Sequence, residues 1–426
     1  MENMPRRRVS LPLPYAIMVA VNLTFLVFAF ALDDPANIFS GFIRIISSRS
    51  ILVTDYIAVG GVGATLLNVA IVGLSSIFML LISGIKPSGA IIMALWVTAG
   101  FSFFGKNVFN MLPLTFGVWL YAKYKKEPFS NYTLASLLVA TLSPVVSEMS
   151  FFGQFSLPIE LALGVVLGFG VGFLFPAISA HMVRMHSGYD LYSMGFAGGL
   201  IATIIATTAS SMGHVIVPAD LLSSGNNKEL ATMLYIISAG MLCCGLFTGA
   251  DRIKGNIKDF LKFHKHSGRL ITDFYFLYNN SIYINMGLMC AFATTIVLLL
   301  GAELSGIAIA GILTMAGFSA FGKHFLNVTP VLIGAFISAS LNRWDLISPA
   351  NVAAILFSSA LAPMAGQFGW FWGIVSGFLH VSVAMFVGEM NGGLNLYNNG
   401  FAAGFVAMFL LPIITVSERM RKGHED

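Results

Sequence analysis

Charge is what this sequence most lacks. Asp, Glu, Lys and Arg make up 10% of its 426 residues, where soluble domains carry about 25%. With 57% hydrophobic residues and a mean hydropathy of +0.84, the chain has too few polar groups to cover a water-facing surface. There are only three cysteines, Cys243, Cys244 and Cys290, all inside apolar runs, so neither a disulfide framework nor a zinc site is expected. HExxH, GxSxG and P-loop signatures are missing, which argues against an enzyme. Alternating polar and apolar strands of roughly ten residues are also missing, which excludes a membrane β-barrel. What remains is an all-α, polytopic helical membrane protein, with no cofactor, metal or nucleic acid implied.

The strongest positive signal is internal repetition. Ala99 to Pro113 reads AGFSFFGKNVFNMLP and Ala316 to Pro330 reads AGFSAFGKHFLNVTP, nine identities in fifteen positions. A second block, LYSMGFAGGLIA from Leu191 to Ala202, returns as LYNNGFAAGFVA from Leu396 to Ala407. Both blocks keep their order, as expected of a duplicated chain.

Apolar runs place a first span over Leu13 to Leu32, then an interfacial amphipathic helix within 36–50. Phe39, Phe42, Ile43 and Ile46 share one face of it, and Arg44 and Arg49 lie off that face. Spans near 54–83, 88–104, 107–122, 130–150, 157–181 and 189–212 form a first repeat. Gly60, Gly61 and Gly63 mark the first of these as tilted or broken. An unpaired span, Ala231 to Thr248, and a basic segment 251–280 precede spans near 281–301, 304–321, 325–340, 349–366, 369–388 and 393–415. The domain reading is therefore residues 1–50 as an N-terminal helix with its interfacial helix, 51–215 as the first repeat, 216–280 as spacer helix and cytoplasmic loop, and 281–426 as the second repeat and tail.

This gives about fourteen spans. Six helices plus one spacer is an odd number, so the second repeat is expected to run upside down relative to the first. Charge agrees with that reading: Lys123, Lys125 and Lys126 follow one span, whereas the equivalent loop holds only Arg343 and Asp345. Lys-rich short loops face the cytoplasm, which also places both termini there. Inverted repeats are a common architecture of transporters, with the site near the bilayer midplane.

Site candidates come in pairs. Lys106 and Asn110, matched by Lys323 and Asn327, precede paired prolines, and the spacing puts Lys and Asn on one helical face near a helix start, where anions are attracted. Snorkelling of the lysines and capping by the asparagines is the competing reading. Ser143-Pro144 and Ala362-Pro363 interrupt apolar spans and can free carbonyls into a cavity. Glu148 matches Gln367 a few residues on, as a solvated cap or a coupling group. In the LYxxGFAxG blocks Gly195, Gly199, Gly400 and Gly404 suit close helix packing. Asp190 matches Asn395 beside them, and Asn398-Asn399 adds polarity able to hold a small polar solute. His380 is the most isolated ionisable residue in an apolar span, a functional candidate by default.

The duplicated AGFSxFGK…N…P and LYxxGFAxG blocks resemble those of an uncharacterised family of bacterial, mainly Firmicute, multi-pass membrane proteins, which implies a bacterial plasma-membrane location. Y-x-x-G-F-x-x-G at Tyr192 and Tyr397 is also similar to the Y-G-x-N-G repeat blocks of urea transporters, themselves inverted duplications. The central Asn-Gly stands only at Asn399-Gly400, with Met194-Gly195 in the first copy. Of the paired NPLSG-type motifs there is only NIFSG at Asn37 to Gly41. The function expected is a transporter or channel-like permease for a small polar or anionic solute, with the bilayer and that solute as partners and homo-oligomerisation left open. The alternative is a non-transport membrane protein: a sensor, an assembly factor or an intramembrane enzyme subunit.

Overall fold

The computed structural model describes residues 11–52, 54–217, 219, 221–249, 252–270 and 272–422. The arginines at positions 6–8, expected in the cytoplasm, lie outside these residues. Among the described residues the chain is helical, with two isolated β-bridges, Thr54–Leu221 and Asp55–Phe104. Ten helices there are long and apolar enough to cross a membrane. The protein is thus an all-α, multi-pass membrane protein, as backbone satisfaction in lipid requires.

The helices form two series in the same order. The first runs α1 (Leu13–Leu32), α2 (Pro35–Ile46), α3 (Tyr56–Gly60), α4 (Val62–Ile82), α5 (Gly89–Phe101), α6 (Val108–Lys125), α7 (Thr133–Leu138), α8 (Ser143–Ser150), α9 (Leu157–Met185) and α10 (Ser193–Ser211). The second runs α11 (Asn227–Phe247), α12 (Arg252–Lys262), α13 (Phe274–Tyr278), α14 (Ile282–Leu299), α15 (Gly306–Phe318), α16 (Phe325–Leu341), α17 (Pro349–Ser358), α18 (Ala362–Phe368), α19 (Trp370–Met390) and α20 (Asn398–Lys422). The segment read from sequence as spacer and loop therefore contains α11 and α12, which stand where α1 and α2 stand in the first series.

Local chemistry explains the breaks. The span expected over 54–83 is broken at Gly61, whose φ of +93° ends α3 and starts α4; Gly369, at +88°, divides α18 from α19 in the same way. Helix α2 exposes Phe39 and Ile43 as expected of an interfacial helix, and buries Ile38, Gly41 and Ile45. A Cβ on Gly41 would come within 2.1 Å of the Gly60 carbonyl oxygen, so this glycine lets α2 lie directly on α3.

At the centre are α5 and α15, thirteen residues each and buried almost throughout. At 1.5 Å per residue each is about 20 Å long, shorter than the hydrocarbon layer of about 30 Å. They cross antiparallel. A Cβ on Gly100 would lie 3.1 Å from Ala310 Cα, and one on Gly317 would lie 2.6 Å from Trp96 Cβ. The duplicated Ala-Gly-Phe-Ser is accordingly the crossing point of two equivalent helices, with glycine where backbones meet.

Each of these helices is capped by the other series. The buried Asp55 carboxylate accepts from Gly306 N at 3.0 Å, the first residue of α15, and from its own Ile57 N at 2.9 Å. Asp273 accepts from Gly89 N at 2.9 Å, the first residue of α5, and from Phe276 N at 2.9 Å. Asp55 also takes the Ser223 hydroxyl at 2.5 Å. The Glu148 carboxylate, which the sequence leaves between cap and coupling group, is fully buried and paired with Arg49, with His214 Nε2 3.4 Å away.

Candidate functional site: two buried lysines about an aromatic pair

Lys106 and Lys323 follow α5 and α15 after a turn at Gly105 and Gly322, whose φ values are +76° and +105°. That turn places each lysine ahead of the next helix, whose N-caps are Asn107 and His324. Lysine and asparagine therefore do not share a helical face, contrary to the spacing argument. Asn110 closes a capping box: its Oδ1 accepts from Asn107 N at 2.9 Å, and its Nδ2 donates to Gly105 O and to Ser147 Oγ. Asn327 does the same with His324 N and Gly322 O. Both asparagines hold the hinge that aims the lysine.

The lysines do not snorkel, being 3% and 0% exposed. Lys323 Nζ donates to the Tyr192 hydroxyl and, at 2.7 Å, to Ser359 Oγ, and lies 4.4 Å from the Tyr192 ring centroid. Asp190 is within electrostatic range of it. Lys106 Nζ donates to Thr98 Oγ1 at 3.1 Å and to the Leu137 carbonyl at 3.3 Å. Both acceptors are neutral.

Between them lies an aromatic cluster. Tyr192 and Tyr397, the equivalent tyrosines of the two LY blocks, stand 4.6 Å apart by ring centroid. Phe318 packs on Tyr192 at 4.8 Å and its counterpart Phe101 on Tyr397 at 4.9 Å. Phe357 stacks on Phe101 at 6.1 Å. Beside this cluster the expected pair Asp190 and Asn395 has a shared role, since each side chain accepts from the N–H two residues on, Tyr192 N at 2.7 Å and Tyr397 N at 3.2 Å. Asn395 further bonds Thr141 Oγ1 and the Gly195 carbonyl. The Asp190 backbone N–H donates to His186 Nδ1. His186 lies between the spanning helices, and burial pushes its imidazole down to about 4. It is thus neutral, with Nε2–H left to donate to Ser193 Oγ at 2.9 Å.

The remaining candidates separate by role. Pro144 and Pro363 sit in the first turns of α8 and α18, where proline's missing N–H costs nothing. The break before Pro144 leaves Thr141 O to accept from Leu396 N, and the break before Pro363 leaves Ala360 O to accept from Leu191 N. Gly195 and Gly400 are packing positions: a Cβ on either would lie 2.7 Å from the carbonyl oxygen of Tyr397 or Tyr192. His380 is buried and bonds Asn399 Oδ1 at 3.1 Å, and its Nδ1 has no partner. Asn399 and Asn398 line a vestibule of about 610 Å³ with Ser348, Trp344 and Glu389. Its other walls include Phe357 and Leu396, next to the aromatic cluster.

The structure thus gathers Lys106, Lys323, Asp190 and Asn395 around the two tyrosines and sets His380 with Asn399 at the vestibule. It assigns Asn110, Asn327, Gly195 and Gly400 to building that arrangement. The tyrosines, Phe101, Phe318 and Ser359 were not selected from sequence, although Tyr192 and Tyr397 sit inside the repeated block. Among the described residues no group of three His, Cys, Asp or Glu could hold a metal ion. No curated protein and no solved structure matches the chain. A family model described as a protein of unknown function, DUF1576, matches it twice, over residues 34–211 and 253–416. The second match takes in α12, consistent with a domain that occurs twice, and by these two matches the chain belongs to the DUF1576 family.

Proposed function

We propose that the protein is a permease or channel-like transporter for a small polar or anionic solute, built as two inverted repeats. The observation that carries this reading is the antiparallel crossing of α5 and α15, equivalent helices shorter than the bilayer, each followed by a buried lysine beside the Tyr192–Tyr397 pair. A two-fold axis in the membrane plane makes equivalent helices antiparallel, and interrupted helices meeting near the midplane are the usual place for a transported solute. Counting α5, α6, α15 and α16 with the ten long helices gives the fourteen spans of the sequence reading. Lys-rich Lys123 to Lys126 then faces the cytoplasm of a bacterial cell, and the vestibule opens on the other side.

Buried lysine amines held by hydroxyl and carbonyl oxygens favour an anion or a strongly polar solute, since a charge taken out of water needs a partner. The test is uptake of labelled small anions and neutral polar solutes into vesicles containing the full chain. Lys323→Met and Tyr192→Phe should each lower flux about ten-fold or more, the loss expected when one charge-assisted hydrogen bond to the solute disappears. Unchanged flux in both variants, with insertion intact, would refute the central site.

A further inference from the structure

Lys106 differs from Lys323 in a way the proposed passage does not use. A second pocket of about 580 Å³ lies between α4 and α6, with Lys106 and Ser136 among its lining residues. Phe78, Ile82, Phe116 and Trp119 line it too, and each is at least 43% exposed, so the mouth opens on the apolar outer face of the helices. Lys106 and Ser136 are buried to within 3% of fully.

Three observations give this pocket a chemistry. First, Lys106 spends two of its three donors on neutral oxygens, and no carboxylate pairs with it among the described residues. Second, the nearest partner of the Ser136 hydroxyl is the Met79 sulfur at 3.7 Å, a weak acceptor that an anionic oxygen would displace. Third, the matching pocket of the second series, about 350 Å³ between α14 and α16, is built without polar groups at these places. Register by the repeated blocks and prolines sets Phe292 opposite Ser75, Ala293 opposite Ser76, Leu332 opposite Thr115 and Ile355 opposite Ser136. Lys323 does not line that pocket. Hydroxyls therefore gather where the lysine lines a lateral pocket and are gone from the matching pocket, which its counterpart, bonded to tyrosine and serine, does not line.

We infer that this lateral pocket binds a single-chain amphiphile with a carboxylate head, a long-chain fatty acid, taken from the bilayer. The head reaches past Ser136 to the free donor of Lys106, and the chain lies between Phe78, Phe116 and Trp119. A volume of about 580 Å³ falls within the range of about 300–1,000 Å³ for small-ligand pockets. A neutral tail alone would gain nothing over bulk lipid, so the charge decides occupancy. Lys106 is shared with the central site, so the test reads binding in the lateral pocket and not solute flux.

Trp119 at the mouth supplies the readout. The full chain in non-ionic detergent is titrated with a fatty acid brominated in mid-chain, and the quenching assigned to Trp119 is the part lost in Trp119→Phe. Saturable quenching is expected, weakened about ten-fold by Lys106→Gln and about ten-fold for the brominated alcohol of the same length. If Lys106→Gln does not fold, the pair Ser75→Phe and Ser136→Ile, which copies the second series and keeps Lys106, should abolish the signal. Thr329→Ala, in the matching pocket, should leave it unchanged. Equal quenching by acid and alcohol, or undiminished quenching in the filled pocket, overturns the inference. Displacement of the acid by phosphatidylglycerol at equal concentration overturns the commitment to a single chain.

Discussion

Removing the Asp55 carboxylate should unfold the central helix pair far more readily than its equivalent at Asp273. Asp55 is fully buried and accepts from four donors: Ile57 N, Gly306 N, Ser223 N and Ser223 Oγ. In Asp55→Ala the Ile57 and Gly306 N–H groups stay buried without an acceptor, at about 1–3 kcal/mol each. The Ser223 pair is only part-buried and turns to water, adding little. The expected loss is about 2–6 kcal/mol. Asp273→Ala exposes the part-buried Gly89 N–H and the exposed Phe276 N–H, so it should cost no more than an ordinary N-cap, about 0.5–2 kcal/mol.

The assay is denaturant unfolding of the full chain in micelles, followed by tryptophan fluorescence. Asp34→Ala serves as control, since Asp34 is exposed and makes no side-chain cap bond to α2. Asp55→Asn separates charge from shape: its one acceptor oxygen can serve Ile57 or Gly306 and not both, so about half the loss should remain. An Asp55→Ala variant as stable as the Asp34→Ala control to within about 0.5 kcal/mol would refute the claim that cross-series capping holds the centre together. A larger loss at Asp273 than at Asp55 would refute the burial argument itself.

The helix crossing makes a second demand. Gly100→Leu places a branched side chain where even a Cβ is 3.1 Å from Ala310 Cα and 3.1 Å from its carbonyl oxygen; backbone cannot yield as a side chain does, so the variant should fail to give a monodisperse peak on size exclusion, while Gly240→Leu, in α11, where a Cβ meets nothing within 4 Å, should elute as wild type. Orientation is tested by single cysteines in a cysteine-free chain at Glu127 and Asp345, both exposed in equivalent loops. An impermeant thiol reagent on intact cells should label position 345 and not 127; equal labelling would refute the inversion.

How much of this was legible in the sequence follows from the range of each interaction. Repetition of AGFS and LYxxGF located the crossing helices and the paired tyrosines, because tight packing admits few substitutes for glycine. What those glycines touch was not legible: Gly195 and Gly400 meet backbone of the opposite series some 200 residues away, with Asn395 Nδ2 bonded to Gly195 O across that gap. The caps stayed hidden for the same reason. Thr54-Asp55-Tyr56 and Thr272-Asp273-Phe274 do repeat, but three residues at a helix start look like a local cap, and nothing local says that the second acceptor oxygen serves another helix. The lysine–asparagine pairing failed because helical periodicity was extended back past Asn107 and His324, N-caps whose extended backbone leaves each lysine outside the helix.

The two halves agree in skeleton and differ in chemistry, and the differences are correlated. At many positions where the fold needs a shape the copies keep the same residue: Gly100 and Gly317 at the crossing, Asp55 and Asp273 at the caps, Asn110 and Asn327 in the capping boxes, Asn68 and Asn285 bonded to the carbonyls of Ser102 and Lys106 or of Ser319 and Lys323. Around the lysines they diverge together. Lys323 has Ser359, Tyr192 and Asp190, where Lys106 has Ala140, the more distant Tyr397 and Asn395. Tyr397 OH is buried without a partner, whereas Tyr192 OH holds Lys323. Each lysine donates to two neutral oxygens, but only Lys323 has a tyrosine among its acceptors and Asp190 within electrostatic range. The asymmetry therefore leaves Lys106, and not Lys323, on a lateral pocket, and the hydroxyls of Ser75, Ser76 and Ser136 collect on that side.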